Sequence, residues 1–428
     1  MNKFGSAIGA LALLAVTTPA LAQDAGLRPL RIGVVIPSRT GEIPIVSSVN
    51  DYVGEGALMG ARLAEARLAS EAEESGIHLD PLLANSPTAA AAERAARRLV
   101  EIEDVDALVG GIGEGQAEVL MQVAEDARIP FLNIGSTDDL LRGRDCSRYT
   151  FHVEASDAMY LDAMAALSVV EGNTRWFVVH PNDARGTALM RRAEQSLAKI
   201  AANGEIVGSA AVPAGLPSYH AEIAAAGNLG ADAIVLLLDP MDQMVFLTQK
   251  EEENSDLPTL SFPHTLTQTR DYIAAARHVA PKANPRQRLA LWETTLDEPY
   301  NDIFRSRWGE PTDPTAWSAY HAIKIILDAA KSSGDFEGEE LVAALEGEVG
   351  FEVLKGPGTS FRKWDHQLRQ PLYAVTVDRE VVWERMSLPT RIAIAGNPAV
   401  LPPAVPGVDP VARLDLLGDT AETSACTF

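Results

Sequence analysis

The sequence is short of positive charge. It has 36 Lys and Arg residues against 59 Asp and Glu residues, which gives a formal net charge of −23 over 428 residues. This balance excludes nucleic acid and anionic membrane surfaces as the main partners, because both bind basic proteins. The acidity does not by itself indicate a cationic ligand, since most of the carboxylates are expected on solvated helix faces.

Long apolar runs are also missing after the first 22 residues. Residues 1–22 have the form of a secretory signal, with Lys3 in the basic region, an apolar core at residues 8–16, and the small-x-small pattern Ala20-Leu21-Ala22. No later stretch approaches the ~20 apolar residues that a membrane-spanning helix needs. We therefore expect a signal peptide that is removed after residue 22 and a mature protein exported to the periplasm.

Cysteine is nearly absent, with Cys146 and Cys426 only. In an oxidising compartment an even pair predicts one disulfide bond, which would tie the C-terminal tail to the first half of the chain. The alternative is two free thiols.

The motifs of catalysis and of metal binding are missing too. The chain has no Gly-x-Ser-x-Gly elbow, no His-Glu-x-x-His helix and no P-loop. Its 8 histidines are scattered, and no two of them stand at the spacing of metal ligands. Asp138 and Asp139 begin a predicted helix, where acidic side chains act as caps. We expect a protein that is not an enzyme and that uses no metal and no cofactor.

What the sequence does contain is a repeated alternation of strands and helices. Apolar strands such as residues 30–36 and 233–238 alternate with helices such as residues 54–72 and 316–330. Repeated units of this kind indicate parallel sheets covered on both faces. The pattern restarts near residue 150, which predicts two α/β lobes. Residues 371–377 and 380–383 are predicted to form a closing hairpin.

The predicted fold is therefore α/β, with two Rossmann-like lobes joined by a hinge of three crossovers. Two such lobes enclose a cleft that can close by hinge motion. The predicted boundaries are residues 27–153 with 295–357 for lobe 1, residues 154–294 with 358–388 for lobe 2, and a C-terminal tail, residues 389–428, packed on lobe 1.

The stretch from residue 106 to residue 146 combines a strand, a Gly-rich turn, a helix, a second strand and a polar turn. Two parallel strands joined by a crossover helix bring the two following loops to the edge where open α/β sheets bind ligands. The polar residues of these loops are Glu114, Gln116, Ser136 and Thr137. The alternative is that the glycines only make tight turns and the polar residues only cap helices.

Several segments resemble the type I periplasmic substrate-binding proteins of ABC importers, in the branch that binds leucine, isoleucine, valine and amides. The resemblance covers nearly the whole mature chain, and it depends on the order and spacing of the segments rather than on one motif. The segments are Pro37-Ser38-Arg39-Thr40-Gly41, Val109-Gly110-Gly111, Pro130-Phe131-Leu132-Asn133-Ile134-Gly135-Ser136-Thr137 and Trp317-Ser318-Ala319-Tyr320-His321. It implies the type I periplasmic binding protein fold.

A narrower resemblance is to a subgroup associated with alcohol degradation that depends on pyrroloquinoline quinone (PQQ). It is carried by Asp138-Asp139-Leu140-Leu141-Arg142 leading to Cys146, by Trp364-Asp365-His366-Gln367-Leu368-Arg369-Gln370-Pro371, and by the tail ending at Cys426. The tail cysteine that the subgroup shares supports the Cys146–Cys426 disulfide.

The resemblance also implies ligand-binding positions in lobe 1. Glu114 stands where amino-acid-binding relatives have a serine for the ligand carboxylate, with Gln116 beside it. Ser136 and Thr137 match a pair of residues that contacts the ligand in these relatives, so that pair is retained in this sequence. A carboxylate at Glu114 would repel a ligand carboxylate, so an α-amino acid in the usual pose is not expected.

In lobe 2 the matching positions are Arg185, Asp239 and His264. Arg185 replaces a tyrosine, His264 replaces an acidic residue that neutralises the ligand ammonium, and Asp239 stands where an aromatic is common. The guanidinium group of Arg185 could bind a carboxylate or a phosphate, or it could pair with Glu114 across the closed cleft. For Glu114, Arg185 and His264 alike, the alternative is a solvated side chain at the rim.

Together these observations predict the periplasmic solute-binding component of an ABC transporter. The expected partners are a small polar organic solute and the permease subunits, with no nucleic acid, and the protein is expected to be a monomer. The subgroup resemblance adds an expected link to PQQ-dependent alcohol catabolism. The alternative is a ligand-sensing or assembly module of the same fold that does not serve transport.

Overall fold

The computed structural model describes residues 26–37, 49–269, 272, 288–290, 298–309, 312–347, 350–375 and 399–428. The statements below concern these ranges. The predicted signal peptide and the second strand of the predicted hairpin, residues 380–383, lie outside them. No helix in these ranges has the length and the apolar character for crossing a membrane.

The first half of the chain forms a five-stranded parallel sheet in the order β2-β1-β3-β4-β5. We call the elements around it lobe 1. Its core is apolar on both faces, as the continuous apolar strands predict. The elements are β1 (Arg28–Ile36), α1 (Val49–Glu74), β2 (Ile77–Asn85), α2 (Ala89–Glu101), β3 (Ala107–Gly110), α3 (Gln116–Ala127), β4 (Phe131–Asn133) and β5 (Thr150–His152).

The restart near residue 150 is confirmed by a second sheet of seven strands, in the order β12-β11-β10-β9-β8-β6-β7. We call the elements around it lobe 2. Strands β6 to β10 are parallel, whereas β11 pairs antiparallel with β10 and with β12. The elements are α4 (Asp157–Glu171), β6 (Arg175–Pro181), α5 (Ala184–Ile200), β7 (Glu205–Val212), α6 (His220–Asn228), β8 (Ala233–Leu236), α7 (Pro240–Glu252), β9 (Thr259–Ser261), β10 (Arg288–Ala290), β11 (Leu372–Val375) and β12 (Ala399–Leu401).

Between β10 and β11 the described residues form three helices: α8 (Glu298–Trp308), α9 (Pro314–Ser333) and α10 (Gly338–Leu345). Helix α9 packs against α1 of lobe 1, and most of its residues are buried. The two backbones approach closely at Gly60, where a Cβ atom would lie 2.1 Å from the Ala316 carbonyl oxygen. The small residues that the sequence places on one face of α1 therefore allow this close crossing.

The C-terminal tail contacts both lobes. The disulfide between Cys146 and Cys426 is present, with the Cα atoms 5.7 Å apart, so this prediction is confirmed. Strand β12, however, belongs to the lobe 2 sheet. After α11 (Pro410–Leu414) the tail also reaches α5, where Arg192 donates to both carboxylate oxygens of Asp419 at 2.8 and 2.9 Å. The predicted packing on lobe 1 thus accounts for one of the contacts of the tail.

The variant Gly60→Ala tests the crossing of α1 and α9. We expect it to lower the free energy of unfolding by about 2 kcal/mol, because backbone atoms of α9 cannot move away from the added methyl group. Urea denaturation monitored by circular dichroism measures the change.

The matched control is Gly227→Ala, a helical glycine of α6 with no atom within 4 Å of the added Cβ. Alanine there is expected to leave stability unchanged or to raise it by up to about 1 kcal/mol, because it has the higher helix propensity. Equal effects of the two substitutions would contradict the close packing at Gly60.

Candidate functional site

The loop that follows β4 is held by the side chain of Asn133. Its Oδ1 atom accepts from the backbone nitrogens of Gly135 and Ser136 at 3.1 and 2.9 Å, and its Nδ2 atom donates to the Ser136 carbonyl at 2.8 Å. Gly111 makes room for this side chain, because a Cβ at that position would lie 2.6 Å from Asn133 Oδ1. Asn133 was not among the predicted ligand positions, although a polar residue at the end of a buried strand was the available signal.

The helical turn after this loop is capped as predicted. Asp138 precedes a 3₁₀ turn, Asp139–Arg142, and its side chain accepts from the Leu140 nitrogen at 2.9 Å. Ser136 and Thr137 are half-buried at the carboxyl edge of the lobe 1 sheet, the edge at which open α/β sheets bind ligands.

Arg185 comes to this loop from lobe 2. It lies in the first turn of α5, which is capped by the Asp183 side chain accepting from the Gly186 nitrogen at 2.7 Å. One Nη atom of Arg185 bonds to Oδ2 of Asp157, and the other donates to Asp157 Oδ1 at 2.7 Å and to Thr137 Oγ1 at 3.1 Å. Asp157 is buried at the start of α4, with 3% of its side chain exposed.

The hypothesis that Arg185 pairs with Glu114 is therefore wrong in this structure. Asp157 lies within reach of the guanidinium because α4 and α5 pack side by side. Its carboxylate accepts from both Nη atoms of Arg185. Burial lowers the pKa of Arg185, but the Asp157 carboxylate outweighs burial and holds that pKa above its usual value. Arg185 stays charged and fixed.

Glu114 lies on the neighbouring loop after β3, and Gln116 is the first residue of α3, next to the loop after β2. Gln116 is buried, its Nε2 atom donates to the Ser86 carbonyl at 2.8 Å, and its Oε1 atom accepts from Ser86 Oγ at 3.2 Å. Gln116 thus joins two loops, a role different from the predicted ligand contact. Glu114 is exposed, and the structure gives it no hydrogen bond within the described residues.

His264 and Asp239 follow neighbouring strands of lobe 2. The Nε2 atom of His264 donates to the Leu238 carbonyl at 2.9 Å, and burial lowers the pKa of the imidazole, so the ring is neutral at pH 7. Asp239 is exposed at the start of α7 and makes no capping bond. Gln243, which was not among the predicted site residues, is buried beside them and donates from Nε2 to the carbonyls of Leu238 and Phe262 at 2.8 and 3.0 Å.

The two lobes make several contacts around the loop after β4, among them the bond from the Asp157 backbone nitrogen to the Thr137 carbonyl at 2.8 Å. Arg185 donates to Thr137, and Thr265 Oγ1 donates to the Gly135 carbonyl at 3.5 Å. The structure therefore brings together Ser136, Thr137, Arg185 and His264. Glu114 lies on the adjacent loop of lobe 1, and Asp239 on the adjacent loop of lobe 2.

A buried polar network joins the two chain segments that cross between the lobes near residues 152–156 and 366–370. Gln367 donates from Nε2 to the carbonyls of His152 and Glu154 at 3.1 and 3.0 Å. Its Oε1 atom accepts from Arg142 Nε at 2.6 Å. The backbones of His152 and Leu368 also pair, at 2.9 Å. This network fixes the position of the crossovers relative to the loop after β4.

The Glu154 side chain connects this network to lobe 2. Its Oε1 atom accepts from the Tyr160 hydroxyl at 2.7 Å, and that hydroxyl accepts from Gln268 Nε2 at 3.0 Å. Glu154 is 1% exposed, and burial raises its pKa to about 7 against the opposing effect of the Tyr160 bond and of Arg142.

Within the described part of the chain, no group of three or more His, Cys, Asp or Glu side chains is placed to hold a metal ion. The arrangement is that of polar groups from two lobes facing one another at strand ends.

Comparisons with known proteins agree with this architecture. The sequence profile of the family described as periplasmic binding protein matches residues 29–380, and the chain belongs to that family. A periplasmic location follows from this membership. No curated protein matches the sequence.

Solved structures of the same fold include a periplasmic binding protein from Burkholderia mallei, at 17% identity and a TM-score of 0.71, which covers 94% of this chain and 99% of its own. A branched-chain amino acid transporter substrate-binding protein from Streptococcus pneumoniae, in complex with isoleucine, has 18% identity and a TM-score of 0.68 over 87% and 100% of the two chains. An ABC transporter solute-binding protein from R. palustris, in complex with benzoate, has 17% identity and a TM-score of 0.67 over 93% and 99%.

The raised pKa of Glu154 predicts a pH dependence of stability. Between its unfolded value near 4.5 and its folded value of about 7, the folded protein keeps a proton that the unfolded chain releases. The stability from this group is therefore complete below pH 4.5 and is lost as the pH rises to about 7. In Glu154→Gln this loss is absent, and the stability difference from the native protein should change by about 3 kcal/mol across that window.

Urea denaturation of both proteins from pH 4.5 to pH 8 measures this difference. Comparing the two curves isolates Glu154 from Asp139, whose pKa burial also raises to about 7. Glu118→Gln, at an exposed position of α3, is the control and should run parallel to the native protein. Parallel curves for Glu154→Gln as well would contradict the assignment.

Proposed function

We propose that this protein is the periplasmic solute-binding component of an ABC transporter. It captures a small polar organic solute between the two lobes and delivers that solute to a membrane permease. The observation that carries the proposal is the meeting of strand-end loops from both lobes at Thr137 and Arg185, in a chain of the periplasmic binding protein family. The structures of the same fold described above include a substrate-binding protein of a branched-chain amino acid transporter and a solute-binding protein of an ABC transporter, which supports the same role here.

The proposed mechanism is hinge closure driven by the solute. The solute contacts residues of lobe 1 and of lobe 2 together only when the cleft is closed, so binding shifts the population toward the closed state. The network around Gln367 provides a fixed pivot, because it holds two crossovers in register while the lobes rotate. The closed form is then the one that the permease recognises.

The proposal includes the link to PQQ-dependent alcohol catabolism that the subgroup resemblance implies. That link depends on the residues around Asp138, His366 and Cys426 alone. It puts alcohols, aromatic acids and PQQ itself among the solutes to be tested.

A thermal-shift screen of the mature protein tests the proposal. The panel contains branched-chain amino acids, amides, amines, aromatic carboxylates, alcohols and PQQ. A solute at a hundredfold excess over its Kd should add about 2.7 kcal/mol to the free energy of unfolding and raise the melting temperature. The shift should be lost in Arg185→Ala, which removes one of the contacts between the lobes at the proposed site.

The control for this screen is Glu194→Gln, at an exposed position later in α5, which should keep the shift. If the melting temperature of the native protein stayed unchanged across the whole panel, solute capture would be contradicted, and a module of this fold that does not serve transport would explain the chain better.

A further inference from the structure

We propose that the cleft takes a small organic cation that donates hydrogen bonds, such as a primary amine, rather than a carboxylate. This inference rests on the proposed function and deepens it, because it names the chemical class of the solute. It follows from counting which donors and which acceptors of the described site residues are already used.

The Nη atoms of the Arg185 guanidinium are already hydrogen-bonded to other residues of the protein. Asp157 accepts from both Nη atoms, in the two-pronged geometry in which arginine binds carboxylates. A third bond goes from Nη2 to Thr137 at 3.1 Å. Asp157 therefore occupies the place that the carboxylate of a solute would take, and removing it from Arg185 would leave a buried carboxylate without its partner.

The side-chain N–H donors of His264 and Gln243 in lobe 2 are used as well. A backbone carbonyl can only accept, so the bond of His264 to the Leu238 carbonyl places the ring proton on Nε2. The two bonds of Gln243 to the carbonyls of Leu238 and Phe262 place its amide nitrogen on that side for the same reason.

The same bonds determine which acceptors are left. The neutral ring of His264 presents Nδ1 as a lone pair. The Oε1 atom of Gln243 is fully buried and has no partner within the described residues. A buried acceptor without a partner is costly, so this atom adds to the acceptors rather than to the donors of the lobe 2 wall.

The charges of the two neighbouring loops agree with this count. Glu114 in lobe 1 and Asp239 in lobe 2 are exposed carboxylates, and the described residues give neither of them an ion pair. Arg185 is neutralised by Asp157, so among these residues Glu114 and Asp239 carry the unpaired charge. They attract an ammonium group and repel a carboxylate.

The test is isothermal titration calorimetry of the mature protein against two series of equal size and different charge. The aromatic series is benzylamine, benzyl alcohol and benzoate, and the aliphatic series is putrescine, 1,4-butanediol and succinate. We expect the amine of at least one series to bind at least tenfold more tightly than its alcohol and its carboxylate. This preference should shrink as the salt concentration rises, because exposed charges are screened.

Two variants link the preference to the named residues. Glu114→Gln and Asp239→Asn keep the size of each side chain and remove its charge, and each should weaken amine binding about tenfold while leaving the binding of the alcohol unchanged. Glu194→Gln makes the same change of net charge on the exposed face of α5 and should leave the Kd of the amine unchanged. Melting curves of all three variants confirm that they are folded.

A carboxylate or an alcohol that binds more tightly than its amine would overturn this inference and leave solute capture intact. Binding of Ca²⁺ without binding of any amine would also overturn it. Failure of every compound in both series and in the wider screen would instead contradict the proposed function itself.

Discussion

Arg142 is the side chain on which the geometry of the site depends. It is 5% exposed, and each of its three nitrogens donates to a different part of the hinge. Nε bonds to Gln367 at 2.6 Å, Nη1 to the Asp138 carbonyl at 2.9 Å, and Nη2 to the carbonyls of Ser136 and Glu154 at 3.0 and 2.8 Å. One residue thereby fixes the loop after β4, the first crossover and the returning segment relative to one another. Because burying a charge is tolerated only when it is fully bonded, this arrangement is rigid.

Because Arg142 holds this loop rigidly, Asp157 and Arg185 are positioned to form an ion pair with each other. Asp157 begins α4 directly after the first crossover, and its backbone nitrogen donates to the Thr137 carbonyl at 2.8 Å. The carboxylate is therefore placed beside the loop of lobe 1 before any solute is present, and α5 brings Arg185 to it. The guanidinium that could bind an anion is occupied from within the chain, the remaining side-chain atoms of His264 and Gln243 are acceptors, and the hydroxyls of Ser136 and Thr137 can still donate or accept. The proposed preference for a solute unlike an α-amino acid rests on this arrangement.

The sequence was sufficient for the architecture, because the signals involved are local. Apolar strands, helical periodicity and the restart near residue 150 predicted both sheets, and the two cysteines predicted the disulfide. The tail was harder, since β12 is only three residues long and pairs with a strand far back in the chain.

The site was predicted in part, because partners distant in sequence decide what each side chain does. Thr137 and Arg185 meet as the strand ends suggested, but the partner of Arg185 is Asp157, 28 residues away on another helix. The Gln116 side chain similarly donates a hydrogen bond to the carbonyl of Ser86, 30 residues earlier. Asn133 and Gln243 carry no motif, and their roles depend on backbone groups that only the folded chain brings within reach.

The most direct test of this account is the radius of gyration of the mature protein in solution, measured by small-angle X-ray scattering with and without a saturating solute identified by its thermal shift. Binding between the lobes predicts a smaller radius in the presence of the solute, and no such change in Arg185→Ala at the same solute concentration. Saturation of the native protein with an unchanged radius would show that the solute binds to one lobe alone, and it would contradict capture by hinge closure.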